Sequence, residues 1–303
     1  MHIAARPLPS LLSFHWLPFL LLTRLAGLLA ALLLFAGLAT AAPTVPEGVR
    51  RIVDMAYGPD ARQRMDVYLP TAAAGAPVIV MVHGGAWMVG NKAMPKVVDN
   101  KVAYWVRQQG FIFVSVNYRL SPQADPLAQA HDVASALAKA QSLAASWGGD
   151  AEKVILMGHS AGAHLVALLS ASPALARESG ARPWLGTVAL DSAALDLERI
   201  MHARHMRFYD RVFGADPAYW RSVSPTRVLA PDAAPMLLVC STQRADGSCM
   251  QAHDFAARVT AGGGRASVLP QALTHEQVNS TLGLPGAYTE AVNRFLSDLL
   301  LLK

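Results

Sequence analysis

The chain has 303 residues, 53% of them hydrophobic, and carries a formal net charge of +5 with a sequence pI near 9.4. A positive charge can indicate a nucleic-acid-binding protein, but the lysines and arginines are scattered and form no basic block interleaved with aromatic residues, which argues against that class. The hydrophobic content suffices for one large core, and no linker-like tract, long charge run or repeat divides the sequence. We therefore predict a single domain behind an N-terminal leader.

The first forty residues differ in character from the rest. Arg6 and Arg24 are their only charged side chains, residues 25–38 form an unbroken apolar run, and Ala39-Thr40-Ala41 supplies the small residues that a signal peptidase requires. The apolar run is about 14 residues long, shorter than the roughly 20 needed to span a bilayer. We predict a signal peptide over residues 1–41 and a periplasmic or secreted domain over residues 42–303. The alternative is a retained membrane anchor with the domain facing outward.

Strands and helices alternate through the predicted domain. Residues 65–70 alternate and end at a proline, which predicts an antiparallel strand, whereas residues 77–82 are a β-branched run typical of a strand buried on both faces. The remaining predicted elements are a helix at 96–109, a strand at 111–116, a helix at 125–146, a strand at 153–157, a helix after residue 160, short strands at 187–190, 236–239 and 266–269, and a closing helix at 288–301. This order predicts an α/β fold, a mostly parallel sheet with helices on both faces and a ligand site at the carboxyl ends of its strands.

A glycine-flanked serine follows the predicted strand 153–157 and leads into a helix. The segment reads Gly158-His159-Ser160-Ala161-Gly162. A chain that turns sharply from strand to helix accommodates only small residues two positions either side of the serine, and such a turn exposes the serine hydroxyl above the sheet. We predict Ser160 to be a nucleophile.

A second glycine-rich turn, His83-Gly84-Gly85-Ala86-Trp87, directly follows the strand 77–82. Acyl transfer places negative charge on the former carbonyl oxygen, and this charge needs fixed hydrogen-bond donors. A turn without bulky side chains lets backbone N–H groups point at one spot. We assign the N–H groups of Gly85 and Ala86 to this oxyanion hole, with Gly84 as a further candidate and Ala161 as the donor next to the nucleophile. His83 is assigned a structural role in the loop.

A serine nucleophile needs a histidine base and an orienting carboxylate, which in this architecture follow in the order serine, acid, histidine. His275 lies between the last strand and the closing helix and is the predicted base. Asp246, just past the strand 236–239, is the predicted acid. Asp191, directly after the strand 187–190, is the alternative, and Asp254 looks helical and is weaker still.

The remaining histidines predict no metal site. His159 and His164 flank the serine and are expected to be packed or hydrogen-bonded. His202 and His205 have a spacing that could hold a metal, but no third ligand accompanies them. No metal-binding or phosphate-binding motif is present, so neither a metal nor a nucleotide cofactor is implied.

Two further features surround the predicted site. Cys240 and Cys249 flank the loop that carries Asp246 and can pair in an oxidising compartment, the alternative being two unrelated buried thiols. Residues 191–234, between two strands, are the natural place for a small lid. The aromatic residues that could line a substrate pocket are Phe208 and Tyr209 of the lid and Trp87 of the oxyanion loop. The alternative is that these side chains pack the lid onto the body of the domain.

Taken together, these residues resemble the α/β-hydrolase superfamily, within it the esterase/lipase branch that includes feruloyl/acetylxylan-esterase-like, hormone-sensitive-lipase-like and kynurenine-formamidase-like enzymes. The motifs that carry the resemblance are residues 65–68, 83–87, 117–120, 148–150, 158–162 and 274–275. The resemblance implies an α/β-hydrolase fold with a small lid insertion, a triad of Ser160, Asp246 and His275, and an oxyanion hole in the His-Gly-Gly loop. The chain departs from that branch at residues 241–245, where a His-Gly or glycine-rich segment often precedes the acid.

The resulting prediction is a secreted serine carboxylesterase that acts on a small-molecule ester through an acyl-enzyme, with a cleft suited to short or aromatic acyl groups. An arylformamidase or amidase would use the same triad, and a catalytically inactive hydrolase fold used for binding is a third possibility. No nucleic-acid partner is expected, and contact with a membrane is expected only if the N-terminal segment is retained. The sequence carries no signal for the oligomeric state.

Overall fold

The computed structural model of the protein describes residues 42–301 together with His2. The chain divides into two compact units, Met1–Ala41 and Ala42–Lys303. The predicted signal segment falls in the first unit, outside the described residues apart from His2, and stays a prediction. In the part of the chain that is described, no helix has both the length and the hydropathy needed to cross a bilayer.

The second unit is built on one sheet of eight strands. The strands are β1 (Val49–Ala56), β2 (Arg64–Pro70), β3 (Ala76–Val82), β4 (Ile112–Val116), β5 (Gly149–His159), β6 (Gly186–Leu190), β7 (Met236–Ser241) and β8 (Ala266–Gln271). They lie in the order β1-β2-β4-β3-β5-β6-β7-β8. β2 is antiparallel to both of its neighbours, and every pairing from β4 to β8 is parallel. The carboxyl ends of the parallel strands therefore meet at one edge, where ligands bind in such sheets.

Helices cover both faces of this sheet. They are α1 (Pro95–Lys101, continued by a π-helix over Val102–Gln108), α2 (Pro126–Leu143), α3 (Ala161–Ala171), α4 (Pro173–Glu178), α5 (Leu197–His202), α6 (Phe208–Phe213), α7 (Pro217–Ser222), α8 (Ser248–Ala261), α9 (His275–Ser280) and α10 (Ala287–Leu301). Alternate residues of a strand point to opposite faces. Accordingly, Val78 and Val80 of β3 enter a core with residues of α2, α3 and α8, whereas Ile79 and Met81 enter a second core with residues of α1 and α10.

The predicted α/β architecture with a mostly parallel sheet is confirmed. Every residue of β4, β6 and β7 is buried, as expected of parallel strands covered by helices on both faces. β1 was not predicted, because it is an edge strand paired only with β2. All eight of its residues are partly or fully exposed, so it shows no clean apolar alternation. The helix predicted at 96–109 is present, but its second half is a π-helix.

The segment between β6 and β7 contains three short helices, α5, α6 and α7. Tyr209, Phe213 and Trp220 from these helices are buried in the same core as Trp87 of the oxyanion loop. Apolar side chains thus fasten this segment, the predicted lid, to the body of the domain.

Candidate active site

Ser160 lies at the turn between β5 and α3. Its backbone has φ 57° and ψ −116°, a conformation that residues other than glycine seldom adopt. Close backbone contacts require the flanking glycines. A Cβ on Gly158 would lie 2.4 Å from the carbonyl oxygen of Gly162, and a Cβ on Gly162 would lie 2.3 Å from that of Val82. The sequence therefore forms a sharp, strained turn, the backbone geometry predicted for a nucleophile.

His275 is the first residue of α9 and faces the serine. Its Nε2 lies 2.9 Å from Ser160 Oγ. The start of α9 is fixed by a capping box, in which the Thr274 hydroxyl accepts a hydrogen bond from the Gln277 N–H while the Gln277 side chain accepts one from the Thr274 N–H. The imidazole is thus carried by a capped helix rather than by a free loop.

Asp191, not Asp246, lies against the imidazole. Asp191 follows β6 directly, and its Oδ2 is 2.6 Å from His275 Nδ1, while its Oδ1 accepts a hydrogen bond of 2.9 Å from the Ser241 N–H. Burial by itself raises the pKa of Asp191, but the hydrogen bond from His275, the charge of Arg244 and the Ser241 N–H outweigh burial and lower that pKa to about 2. The carboxylate is therefore ionised at neutral pH.

The predicted placement of Asp246 at the histidine is corrected accordingly. Asp246 accepts hydrogen bonds from Arg244 Nε, at 2.9 Å, and from Arg244 Nη2. The arginine therefore stands between Asp246 and His275. Because β6 and β7 are parallel neighbours that end at the same edge, an acid after either strand can reach the histidine. Asp191 has a φ of 58°, its side chain is fully buried, and its N–H donates to the Val239 carbonyl at 2.8 Å.

The predicted oxyanion loop lies directly beside the nucleophile. A Cβ on Gly84 would be 2.8 Å from Ser160 Cβ, so the loop can approach this closely only with glycine there. Gly85, Ala86 and Trp87 have successive positive φ values of 132°, 51° and 61°. Within residues 42–301, no protein acceptor binds the backbone N–H groups of Gly85, Ala86 or Ala161, the last because it is the first residue of α3. These three donors remain available to a ligand.

His83 has the structural position expected of it. The Nδ1–H group of His83 donates to the Gly84 carbonyl at 2.8 Å, and the ring stacks on Tyr118 with centroids 4.6 Å apart. Burial lowers the pKa of His83 to about 4, so the ring is neutral at physiological pH. It stiffens the loop without reaching the nucleophile.

His159 packs against the imidazole of His275. The rings of His159 and His275 have centroids 4.6 Å apart, and His159 Nε2–H donates to the His275 carbonyl at 2.9 Å. Burial, followed by the charge of His275, lowers the pKa of His159 to about 3. The His159 ring is therefore neutral at physiological pH, with its proton on Nε2.

The candidate pocket aromatics serve mainly to attach the lid. Trp87 and Tyr209 are buried, at 3% and 6% exposure, and the rings of Trp87 and Phe213 meet edge to face at 4.8 Å. Trp87 Nε1–H donates to His164 Nδ1 at 3.1 Å, and His164 Nε2–H in turn donates to the Val223 carbonyl at 2.7 Å. Of the three candidates, only Phe208 remains half-buried.

His202 and His205 do not converge on a common point. His205 Nε2 pairs with Asp210 at 2.9 Å, and the His202 ring packs edge-on against Trp220. Within residues 42–301 no group of three His, Cys, Asp or Glu side chains is arranged to hold a metal ion.

Cys240 and Cys249 form a disulfide with their Cα atoms 5.0 Å apart. It joins the end of β7 to α8 and closes the loop that contains Arg244 and Asp246. Arg244 contacts Asp191 and His275 and was not predicted as part of the site. The only signal for it was the departure from the glycine-rich approach to the acid at residues 241–245.

The sheet is mostly parallel, and a serine lies on a strained turn between a strand and a helix. This serine is hydrogen-bonded to a histidine, which is hydrogen-bonded to a carboxylate. These features define the class of serine hydrolases with the α/β-hydrolase fold. The BD-FAE family model matches residues 65–258, more than half of the chain. The protein belongs to the BD-FAE family.

Individual proteins show the same likeness. Probable isoprenylcysteine alpha-carbonyl methylesterase ICMEL1 of Oryza sativa subsp. japonica is 35% identical over 125 residues, 41% of this chain and 28% of that protein. Esterase LipQ of Mycobacterium tuberculosis (strain ATCC 25618 / H37Rv) is 30% identical over 225 residues, 65% of this chain and 51% of that protein. The chain thus spans from 28% to 51% of the length of these two curated relatives.

The fold is shared with solved structures as well. Esterase B from Lactobacillus Rhamnosis, in the structure with a C4-C4 SN3 tributyrin phosphonate, superimposes with a TM-score of 0.69 at 20% identity, over 93% of this chain and 96% of that one.

Proposed function

We propose that this protein hydrolyses carboxyl esters through an acyl-enzyme, with Ser160 as nucleophile, His275 as general base and Asp191 as the orienting acid. The observation that carries the proposal is the hydrogen-bonded series Ser160 Oγ to His275 Nε2 at 2.9 Å and His275 Nδ1 to Asp191 Oδ2 at 2.6 Å. The ionised Asp191 selects the tautomer with the proton on Nδ1, which leaves Nε2 free to accept the serine proton.

The chemistry then follows in two halves. Ser160 Oγ attacks the ester carbonyl while His275 Nε2 takes its proton, and the backbone N–H groups of Gly85, Ala86 and Ala161 bind the resulting oxyanion. As the C–O bond to the alcohol breaks, His275 returns the proton to the departing oxygen, which leaves the acyl group on Ser160. Water, deprotonated by His275, then attacks the acyl carbonyl, and the same proton returns to Ser160 as the acid leaves.

Esters with short or aromatic acyl groups are the substrates that we propose. The His275 side chain is 36% exposed, which fits an open cleft rather than a deep tunnel for a long chain. The names of the relatives agree with ester chemistry, since they include an esterase and a probable methylesterase. A tributyrin phosphonate inhibits the Lactobacillus enzyme, whose fold is similar.

A chain-length series of p-nitrophenyl esters tests this proposal. We expect activity to peak at short acyl chains, and Ser160→Ala to abolish turnover and labelling by an alkyl phosphonate. Rates on N-formyl amides should be lower than on esters. Hydrolysis that survives Ser160→Ala would disprove the role of the serine, and a peak at long acyl chains would disprove the open cleft.

We further propose that the domain is exported. The basic, apolar and small-residue order of residues 1–41 supports export, and the Cys240–Cys249 disulfide suits an oxidising compartment. Mass spectrometry of the protein from the periplasm and medium is expected to find a chain that begins at Ala42. An uncleaved chain in the membrane fraction would favour the anchor instead.

A further inference from the structure

Arg244 contacts both His275 and Asp191 but has no part in the mechanism given above. Its Nη1 lies 2.9 Å from the Asp191 carbonyl oxygen, 3.2 Å from Asp191 Oδ2 and 2.9 Å from His275 Nδ1. The other side of the guanidinium binds both carboxylate oxygens of Asp246. The side chain is only 17% exposed. A half-buried, fully charged group in contact with a catalytic-site imidazole affects how readily that imidazole is protonated.

The loop that carries Arg244 is held at several points. The disulfide from Cys240 to Cys249 closes it, the Gln243 N–H donates to Ser241 Oγ at 3.2 Å, and the Gln243 side chain donates to the Ala272 carbonyl at 3.0 Å. Ser241 Oγ also donates to the Leu273 carbonyl at 2.5 Å, two residues before His275. These hydrogen bonds connect the loop to the segment that precedes His275 and so fix the Arg244 guanidinium relative to the His275 imidazole.

His275 Nδ1 faces two competing neighbours. Asp191 accepts a hydrogen bond and so selects the tautomer with the proton on Nδ1, whereas Arg244 can only donate and would select the opposite tautomer. The shorter contact, 2.6 Å against 2.9 Å, belongs to Asp191. With Nδ1 protonated, the nearby guanidinium makes no hydrogen bond to it and acts only through its charge, which opposes formation of the imidazolium.

We propose that Arg244 is a positioning residue that anchors the Asp191 carboxylate and keeps the basicity of His275 in check, and that Asp246 moderates this effect by neutralising the guanidinium. Asp246 thus retains a role, but it acts through Arg244 and not on the imidazole itself. This proposal rests on the proposed function of Ser160, His275 and Asp191. It predicts that removing either member of the Arg244–Asp246 pair moves the acid limb of activity, in opposite directions.

Other groups around the imidazole are accounted for as follows. His159 from the end of β5 is neutral, since burial keeps its pKa near 3. Glu276, next to His275 on α9, is exposed and pairs with Lys96 at 3.6 Å. The remaining neighbouring titratable groups are Lys101 beside α9, Tyr288 of α10 and Tyr209 of the lid. All of these stay unchanged in the variants below, so a difference between variants reports on the Arg244–Asp246 pair.

The test is the pH dependence of kcat/KM on a p-nitrophenyl ester, whose acid limb reports the base of the free enzyme. Arg244→Met removes a positive charge, so the limb should move to higher pH by about one pH unit, the low end of the effect expected for a charge at this distance. Asp246→Asn leaves the guanidinium unneutralised, so the limb should move to lower pH. Arg244→Lys keeps the charge and should leave the limb close to that of the wild type while activity falls.

Arg177→Met is the matched control, because Arg177 pairs with Asp232 on the surface and has no contact with the site. Circular dichroism and urea midpoints identify variants that fail to fold. If the limb stays in place in folded Arg244→Met and Asp246→Asn, or moves the same way in both, the proposal is overturned. Retained hydrolysis in Ser160→Ala would instead disprove the proposed function, so the two failures are distinguishable.

Discussion

Asp191 and Asp246 lie at the ends of neighbouring strands, and the side chain between them decides which one serves the histidine. The Arg244 side chain is half-buried and binds Asp246 on one side and Asp191 on the other. A carboxylate already held by a bidentate guanidinium is not free to reach an imidazole. The remaining acid is Asp191, which directly follows β6.

A substitution series at these residues tests the assignment. We expect Asp191→Asn to lower kcat by roughly 10³–10⁴-fold, because the imidazole loses the acceptor that selects its active tautomer. In that variant Arg244 is free to donate to Nδ1 and stabilise the inactive tautomer. Adding Arg244→Met to Asp191→Asn should therefore raise kcat about tenfold, which corresponds to an activation free energy lower by about 1.4 kcal/mol. Steady-state kinetics on p-nitrophenyl acetate measure both effects.

Asp246→Asn serves as the comparison for that series. Its kcat should stay within about tenfold of the wild-type value, since the lost hydrogen bonds belong to Arg244 and not to the imidazole. Equal losses in Asp191→Asn and Asp246→Asn would contradict the assignment of the acid.

At the scale of elements, the site depends on how each turn leaves its strand. The strained turn at Ser160, the capping box at the start of α9 and the successive positive φ values in the oxyanion loop each fix one component. The disulfide fixes a fourth, the loop between β7 and α8. Since it links residues nine apart, it constrains only this loop and not the whole domain.

Removal of the disulfide gives an element-scale prediction. Cys240→Ala with Cys249→Ala should lower the free energy of unfolding by about 2–3 kcal/mol, the loop-closure value for a loop of this size. Activity should fall too, because Arg244 loses its fixed position. Urea denaturation and ester kinetics check this, with wild-type protein reduced by dithiothreitol as the control. Unchanged stability and unchanged kcat would show that the loop is held without the disulfide.

At the scale of the whole molecule, three buried histidines make the fold sensitive to acid. Burial is the largest cause in each case and lowers the pKa of His83 and of His164 to about 4 and that of His159 to about 3. In the unfolded chain the same groups titrate near 6.5. Below that pH the unfolded state binds more protons than the folded state. The contribution of these histidines to the free energy of unfolding is therefore fully present above about pH 6.5 and is lost as the pH falls toward 4.

Because three histidines each take up one proton on unfolding, the free energy of unfolding should change with pH by at most about 4 kcal/mol per pH unit. Urea unfolding between pH 7.5 and 4.5 measures it. His164→Gln keeps an acceptor for Trp87 and a donor for the Val223 carbonyl, so it should reduce the slope by about one third. A free energy of unfolding that is constant from pH 7 to pH 5 would contradict this account.

Much of the architecture could be predicted because its signals are local. Continuous apolar runs identified the buried strands, and the Gly-x-Ser-x-Gly and His-Gly-Gly segments identified the turns at their ends. The edge strand β1 escaped prediction because half-exposed residues carry no clear period. The aromatic residues of the lid could not be divided between pocket and packing, since both uses need the same side chains. Their burial against Trp87 is a property of the folded chain.

The sequence by itself determined the buried strands of the sheet and the turns at Ser160 and at residues 83–87, because each depends on neighbours within a few residues. It also placed His275 between the last strand and the closing helix. Only the tertiary structure decided between Asp191 and Asp246. Both follow parallel strands that end at one edge, and their order along the chain satisfies the same rule. The choice depends on where a guanidinium two residues before Asp246 points, and that direction is set by contacts with Asp191 and His275, which are 53 and 31 residues away.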